Sequence, residues 1–149
     1  MKRQAAISEM KIELHLSFRV VDAELDPQRV SDALGLLPTR SGRRGEMISA
    51  RVQKPRAKGF WILDSAQDVA RSESFDSHVT WLLDRLEPVA ERIQGLASEH
   101  EVVDLWAGIY TGKDHGGPVV GATALRRVAN LGLALCLDVY AEILDDAAD

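Results

Sequence analysis

Cysteine is all but missing from this chain: Cys136 is the single one in 149 residues. A lone cysteine excludes an internal disulfide and suits a reducing compartment, so the cytoplasm is the expected location. Its neighbours in "LALCLDVY" point to a small apolar residue inside a buried strand. Aromatic residues are scarce as well, at 5 %, with three tryptophans and two tyrosines. No apolar run approaches the ~20 residues needed to cross a bilayer, and a membrane partner is not expected. The opening "MKRQAAISEMK" has basic residues with no hydrophobic segment behind them and does not read as a secretory signal.

Several chemistries are missing too. The four histidines, His15, His78, His100 and His115, stand apart, with neither HxH nor HExxH spacing, so no metal is expected. "TGKDHGGP" is not a phosphate loop, because Lys113 is followed by Asp114 where a serine or threonine is required. No Gly-x-Ser-x-Gly occurs, and Cys136 has no base nearby in sequence. No cofactor and no catalytic residue is assigned.

What is present is an ordinary globular composition, 46 % apolar and 28 % charged, in a length that makes one domain. The charge is unevenly spread. Arg40, Arg43, Arg44, Arg51, Lys54, Arg56 and Lys58 fall within nineteen residues that hold a single acid, Glu46. This segment carries +6 in a chain of net charge −5, which leaves −11 on the remainder. An acidic remainder opposes binding of nucleic acid, since net repulsion weakens any polyanion contact. The segment is expected either to complement acidic residues of the same chain or a second copy, or to meet an acidic protein partner, where charge sets association rate and specificity.

Periodicity places the elements. "ELHLSFRV" (13–20) alternates as a half-buried strand. "LDPQRVSDALGL" is a short helix with Asp26 as N-cap, Pro27 at the first position and Gly35 past the end. "EMISARV" (46–52) and "GFWILD" (59–64) read as strands. From Ser74 to Glu99, apolar residues recur at three- and four-residue steps along a helix that Pro88 should kink or split. A strand at 102–110, a glycine-rich loop, a helix from Ala122 to Asn130 closed by Gly132, and a strand at 133–140 complete the chain; the acidic "AEILDDAAD" forms a last turn or frays. The order βαββαβαβ predicts an α+β fold: one mainly antiparallel five-stranded sheet with helices on one face, ferredoxin-like in its first six elements.

Alternate strand positions would then line the other face: His15, Ser17, Arg19, Ser49, Arg51, Trp61, Leu63, Asp104, Trp106, Tyr110, Cys136, Asp138 and Tyr140. Aromatic rings with arginine make a recognition surface of large contact area. The expected partner-binding residues are Arg19, Arg43, Arg44, Arg51, Trp61, Asp104, Trp106, Tyr110, Asp138 and Tyr140. The competing expectation is that the aromatics are covered by the 36–58 segment while Arg19 and Arg51 pair with Asp104 and Asp138.

In order, "FRV", "LDPQRVSDALGLLPT", "RRGE", "GFW", "SHVTWLLDRL" and "CLDVY" make the chain, over about residues 12 to 141, similar to the bacterial family catalogued as domain of unknown function 4279. The resemblance implies a small bacterial single-domain protein, a binding or immunity-like factor, and adds no catalytic residue. Taken together, the expectation is a non-enzymatic binding domain that engages a protein partner, or a second copy of itself, through the aromatic sheet face and the basic 40–58 segment. A binder of single-stranded RNA or a small anionic ligand is second; a hydrolase using Asp104 and Asp138 as paired carboxylates is third.

Overall fold

A computed structural model describes residues 12–112 and 116–141. The N-terminal segment, the Asp114-His115 pair and the acidic tail beyond Ala141 lie outside the described residues.

The alternation of Leu14, Leu16, Phe18 and Val20 builds β1 (Glu13–Asp22), and all four side chains are buried. Around it lie β2 (Arg40–Gly42), β3 (Gly59–Asp64), β4 (Val102–Thr111) and β5 (Leu135–Ala141), in the order β2-β3-β1-β4-β5. β1 runs antiparallel to β3 and β4, and β2 antiparallel to β3. β5 joins β4 in parallel, which makes the sheet mixed. The helices are α1 (Pro27–Leu34), α2 (Phe75–Leu86), α3 (Ala90–Glu99) and α4 (Ala122–Leu131). Val30 and Leu34, Phe75 to Leu86, Ile93 and Leu96, and Val128 and Leu131 share one core with the inward side of the sheet. The fold is α+β with helices gathered on one face, and its first four strands follow the split βαβ order.

Local chemistry sets the element ends. Asp26 accepts from the Gln28 N–H at 3.0 Å, Pro27 opens α1, and Gly35 closes it at φ +65°. Pro88 divides the long helical segment: α2 ends at Leu86, a 3₁₀ turn follows, and α3 starts at Ala90. The expected strand at 46–52 is not in the sheet. That chain folds on itself through Ile48 N–H to Lys54 carbonyl (3.0 Å) and Arg56 N–H to Glu46 carbonyl (2.8 Å). It forms an outlying hairpin over 43–58, while the sheet takes up Arg40–Gly42 instead. The cause is the lack of anything to bury against: Met47, Ile48 and Val52 all stay exposed.

Two corrections concern which side chains are buried. Trp61 does not line the outer face. It is fully buried on the helix side, edge-on to Phe18 at 5.9 Å, and its Nε1–H donates to Ser31 Oγ at 3.0 Å. Cys136 is exposed, because β5 is an edge strand and this position faces away from the helices.

Beyond Asp64 the chain leaves the sheet, and its 65–71 segment takes over the free side of β1. Ser65 Oγ accepts the Leu16 N–H at 2.9 Å, and the Arg71 carbonyl accepts the Leu14 N–H at 2.9 Å. Ser65 donates in turn to His78 Nδ1 at 2.6 Å, leaving His78 Nε2–H to donate to the Ala70 carbonyl at 3.1 Å. This chain is satisfied only by neutral imidazole. Burial pushes His78 below its ordinary value of 6.5, so the unfolded chain binds a proton that the folded one refuses.

Stability is therefore complete above about pH 6.5 on this account and declines as pH falls below it. In urea unfolding, His78→Asn should lower stability at neutral pH yet lose less of it than wild type between about pH 7 and 5.5; equal losses would remove His78 from the pH response. A second expectation concerns Gly59, where an added Cβ would lie 2.7 Å from the Leu25 carbonyl oxygen. Gly59→Ala should cost about 1–3 kcal/mol, read as a lowered unfolding midpoint.

Candidate functional site

The side of the sheet away from the helices holds the chemistry. β1 places His15, Ser17 and Arg19 there, β4 places Asp104, Trp106 and Tyr110, and β5 places Asp138 and Tyr140, as the strand registers require. Arg19 forks onto Asp104, with Nε to Oδ1 and Nη2 to Oδ2 both at 2.8 Å, and its guanidinium lies 4.9 Å over the Trp106 ring. The hydrogen bond to Asp104 raises the Arg19 pKa further. Tyr110 stacks on Tyr140 at 4.9 Å between centroids and faces His15 at 6.2 Å. Tyr140 donates its hydroxyl to Asp138, which raises the phenol's pKa. Each ring and charge on this face is thus held by another.

Asp104 and Asp138 do not form a carboxylate pair. Asp138 lies opposite Gly108, four residues along β4 from Asp104, or about 13 Å of strand. Arg19 also neutralises Asp104 directly.

At one end of the face, a depression of about 470 Å³ opens between β2, β1 and β4, lined by His15, Arg40, Asp64, Arg71, Trp106 and Tyr110 among others. Asp64 closes β3 and is nearly buried. Its Oδ1 accepts the Ala66 N–H at 2.8 Å, and its Oδ2 sits 3.0 Å from His15 Nδ1, near enough for an ion pair but without the alignment of a good hydrogen bond. Burial pulls the Asp64 pKa upward, but the facing His15 ring and the Ala66 N–H outweigh it, and the net shift is downward. The His15 ring lies over Gly108 and leaves no room there for a Cβ, which would meet Nε2 first. The hydroxyl of Ser17 is buried without a hydrogen-bond partner among the described residues.

Sequence reasoning placed His15 on this face but left it out of the site, and missed Asp64, Arg40 and Arg71. Asp64 was lost because "GFWILD" is apolar almost throughout, so alternation could not fix its phase. Trp61 was chosen for the outer face where Phe60, Ile62 and Asp64 belong.

The basic segment is mostly answered from within the chain. Arg43 bonds Asp26 at 2.7 Å, on the same oxygen that caps α1. Arg44 pairs with Glu24, Lys58 with Glu101, and Arg56 lies 4.5 Å over Phe60. Arg51, expected on the sheet face near Asp138, sits in the outlying hairpin, exposed and without an ion pair to a described residue.

Among known proteins, the family model "Domain of unknown function (DUF4279)" matches residues 12–142. No curated protein and no solved structure matches the chain. The family match runs from the residue before β1 to the one after β5 and so takes in the five strands and four α-helices of the described residues; the chain belongs to the DUF4279 family.

Proposed function

We propose that this chain is a non-enzymatic binding domain of a bacterial cytoplasm that engages a protein partner, or a second copy of itself, through the helix-free face of its sheet. The observation that carries this reading is the set of Arg19, Asp104, Trp106, Tyr110, Asp138 and Tyr140 on a face over which no helix of the described residues lies, each held in place by a neighbour. Side chains ordered before contact lose little entropy on binding, and aromatic and arginine anchors supply most of the energy of such interfaces. The basic hairpin is a flanking contributor. Arg51 and Lys54, with no ion pair to a described residue, supply its free charge, whereas Arg43, Arg44 and Lys58 are drawn back to the body by exposed ion pairs that contribute little stability.

The same arrangement favours protein over single-stranded RNA. Base stacking needs free ring faces. Trp106 has Arg19 over it, and Tyr110 already meets Tyr140, His15 and Arg71. The hydrolase reading loses its basis with the separation of Asp104 from Asp138.

The test is capture from nuclease-treated bacterial lysate, together with sedimentation of the purified protein. Wild type should retain a discrete protein, or sediment as a dimer. A Tyr110→Ser, Tyr140→Ser variant should lose that association while its unfolding midpoint stays close to wild type. An Arg51→Ser, Lys54→Ser variant should weaken association chiefly at low salt, where exposed charge acts over the longest range. Retention of nothing but nuclease-sensitive material, or equal behaviour of wild type and the tyrosine variant, would defeat the reading.

A further inference from the structure

The depression at the β2 end of the outer face has features that a protein-contact surface does not need. Its floor is His15, with Asp64 behind Nδ1 and Gly108 beneath the ring. Nδ1 faces Asp64 on the β3 side, and Nε2 lies over Gly108 on the β4 side. The Asp64 carboxylate is itself fixed by the Ala66 N–H, so the pair is held on a turn rather than on a mobile side chain. Nearly buried polar groups of a merely structural domain are expected to be fully bonded. Here His15 Nδ1 lacks a well-aligned bond and the Ser17 hydroxyl next to it on β1 has none.

Two arginines stand at the rim. Arg40 leads into β3's neighbour strand, exposed, with no ion pair to a described residue. Arg71 is tethered by its own carbonyl to the Leu14 N–H and reaches over Tyr110 at 5.7 Å, also without a carboxylate. Arg19, Arg43, Arg44 and Arg127 find carboxylates among the described residues; Arg40 and Arg71 do not, and both line this one depression. Asp64 is the one acid in the lining, and it is turned toward His15.

We propose that this depression is a binding site for an oxyanion group, carboxylate or phosphate, with Arg40 and Arg71 as the clamp above the His15 floor. Guanidinium groups suit both anions because their planar donors match paired oxygens. Trp106 and Tyr110 wall the site on the β4 side, so the group would arrive on a small organic ligand with apolar surface beside the anion. The site shares Trp106 and Tyr110 with the partner surface, but its clamp, Arg40 and Arg71, lies outside that set, so it does not depend on the partner reading.

The experiment is a titration of the whole chain with inorganic phosphate and, separately, with succinate, following the His15 imidazole and Trp106 indole resonances. Sodium chloride at equal ionic strength is the control. The site predicts saturable shifts of both signals at millimolar concentrations of at least one anion, none with chloride, and roughly tenfold or greater weakening in the Arg40→Ser, Arg71→Ser double variant. Saturation by phosphate alone assigns a phosphate ester, by succinate alone a carboxylate, and by both a site that reads the shared geometry. The two serines replace exposed side chains, and unchanged backbone amide resonances elsewhere verify that the double variant is folded. Absence of saturable shifts with both anions, or an undiminished response in that folded variant, overturns the proposal.

Discussion

Everything in this domain depends on the two-sidedness of β1. It is the middle strand, antiparallel to both neighbours, so its alternation dictates which way each residue opposite it must point. Leu14, Leu16, Phe18 and Val20 commit one side to the helices. His15, Ser17 and Arg19 then have no choice but to face outward with Asp64, Asp104 and Trp106 beside them. A slip by one residue would drive histidine and arginine into the core and leave the leucines in water. At about 1.5–3 kcal/mol for each large apolar side chain buried, four such side chains hold the register firmly. The outer face inherits its precision from the inner one.

That dependence explains what could be read from residues alone. β1 and β4 alternate clearly, and the outward places of Arg19, Asp104, Trp106 and Tyr110 followed directly. The helix boundaries were equally legible, because Asp26, Pro27, Gly35, Pro88 and Gly132 each act through a local backbone constraint. β3 was different. Apart from its end residues, every side chain in "GFWILD" is apolar, and both faces of the strand meet something: Trp61 and Leu63 the core, Phe60 the Arg56 guanidinium. With no polar residue to mark the outward phase, tryptophan looked like a surface aromatic when it is the largest buried side chain of the fold. Partnering, not propensity, decided the 46–52 segment too: it has strand-like alternation, but Met47, Ile48 and Val52 bury against nothing among the described residues.

The concentration of positive charge in an acidic protein has a local answer. Glu24, Asp26 and Glu101 receive Arg44, Arg43 and Lys58, so much of the basic segment offsets the acidity of the body it folds against. One cannot see this from the sequence, since the pairs join residues 17 to 43 positions apart through a hairpin that sequence pattern placed wrongly. Exposed pairs of this kind contribute little stability, and their use is to set where the hairpin rests. What remains unpaired is the informative part: Arg51 and Lys54 in the hairpin, Arg40 at its root.

Arg40 also shows why the corner beneath it escaped a reading by motif. Its companions come from five places in the chain: His15 on β1, Arg40 on β2, Asp64 at the end of β3, Arg71 after the 3₁₀ turn and Tyr110 near the end of β4. No two lie within a spacing that any local rule would flag. They meet because β3 stops at Asp64 while β1 continues, and the 65–71 segment must cross to supply the acceptors that Leu16 and Leu14 would otherwise lack. The obligation to bond two backbone N–H groups thus brings Arg71 over Tyr110 and turns Asp64 inward onto His15. A requirement of the sheet assembles the chemistry of the site, and only the side chains left without partners mark it as more than a strand ending.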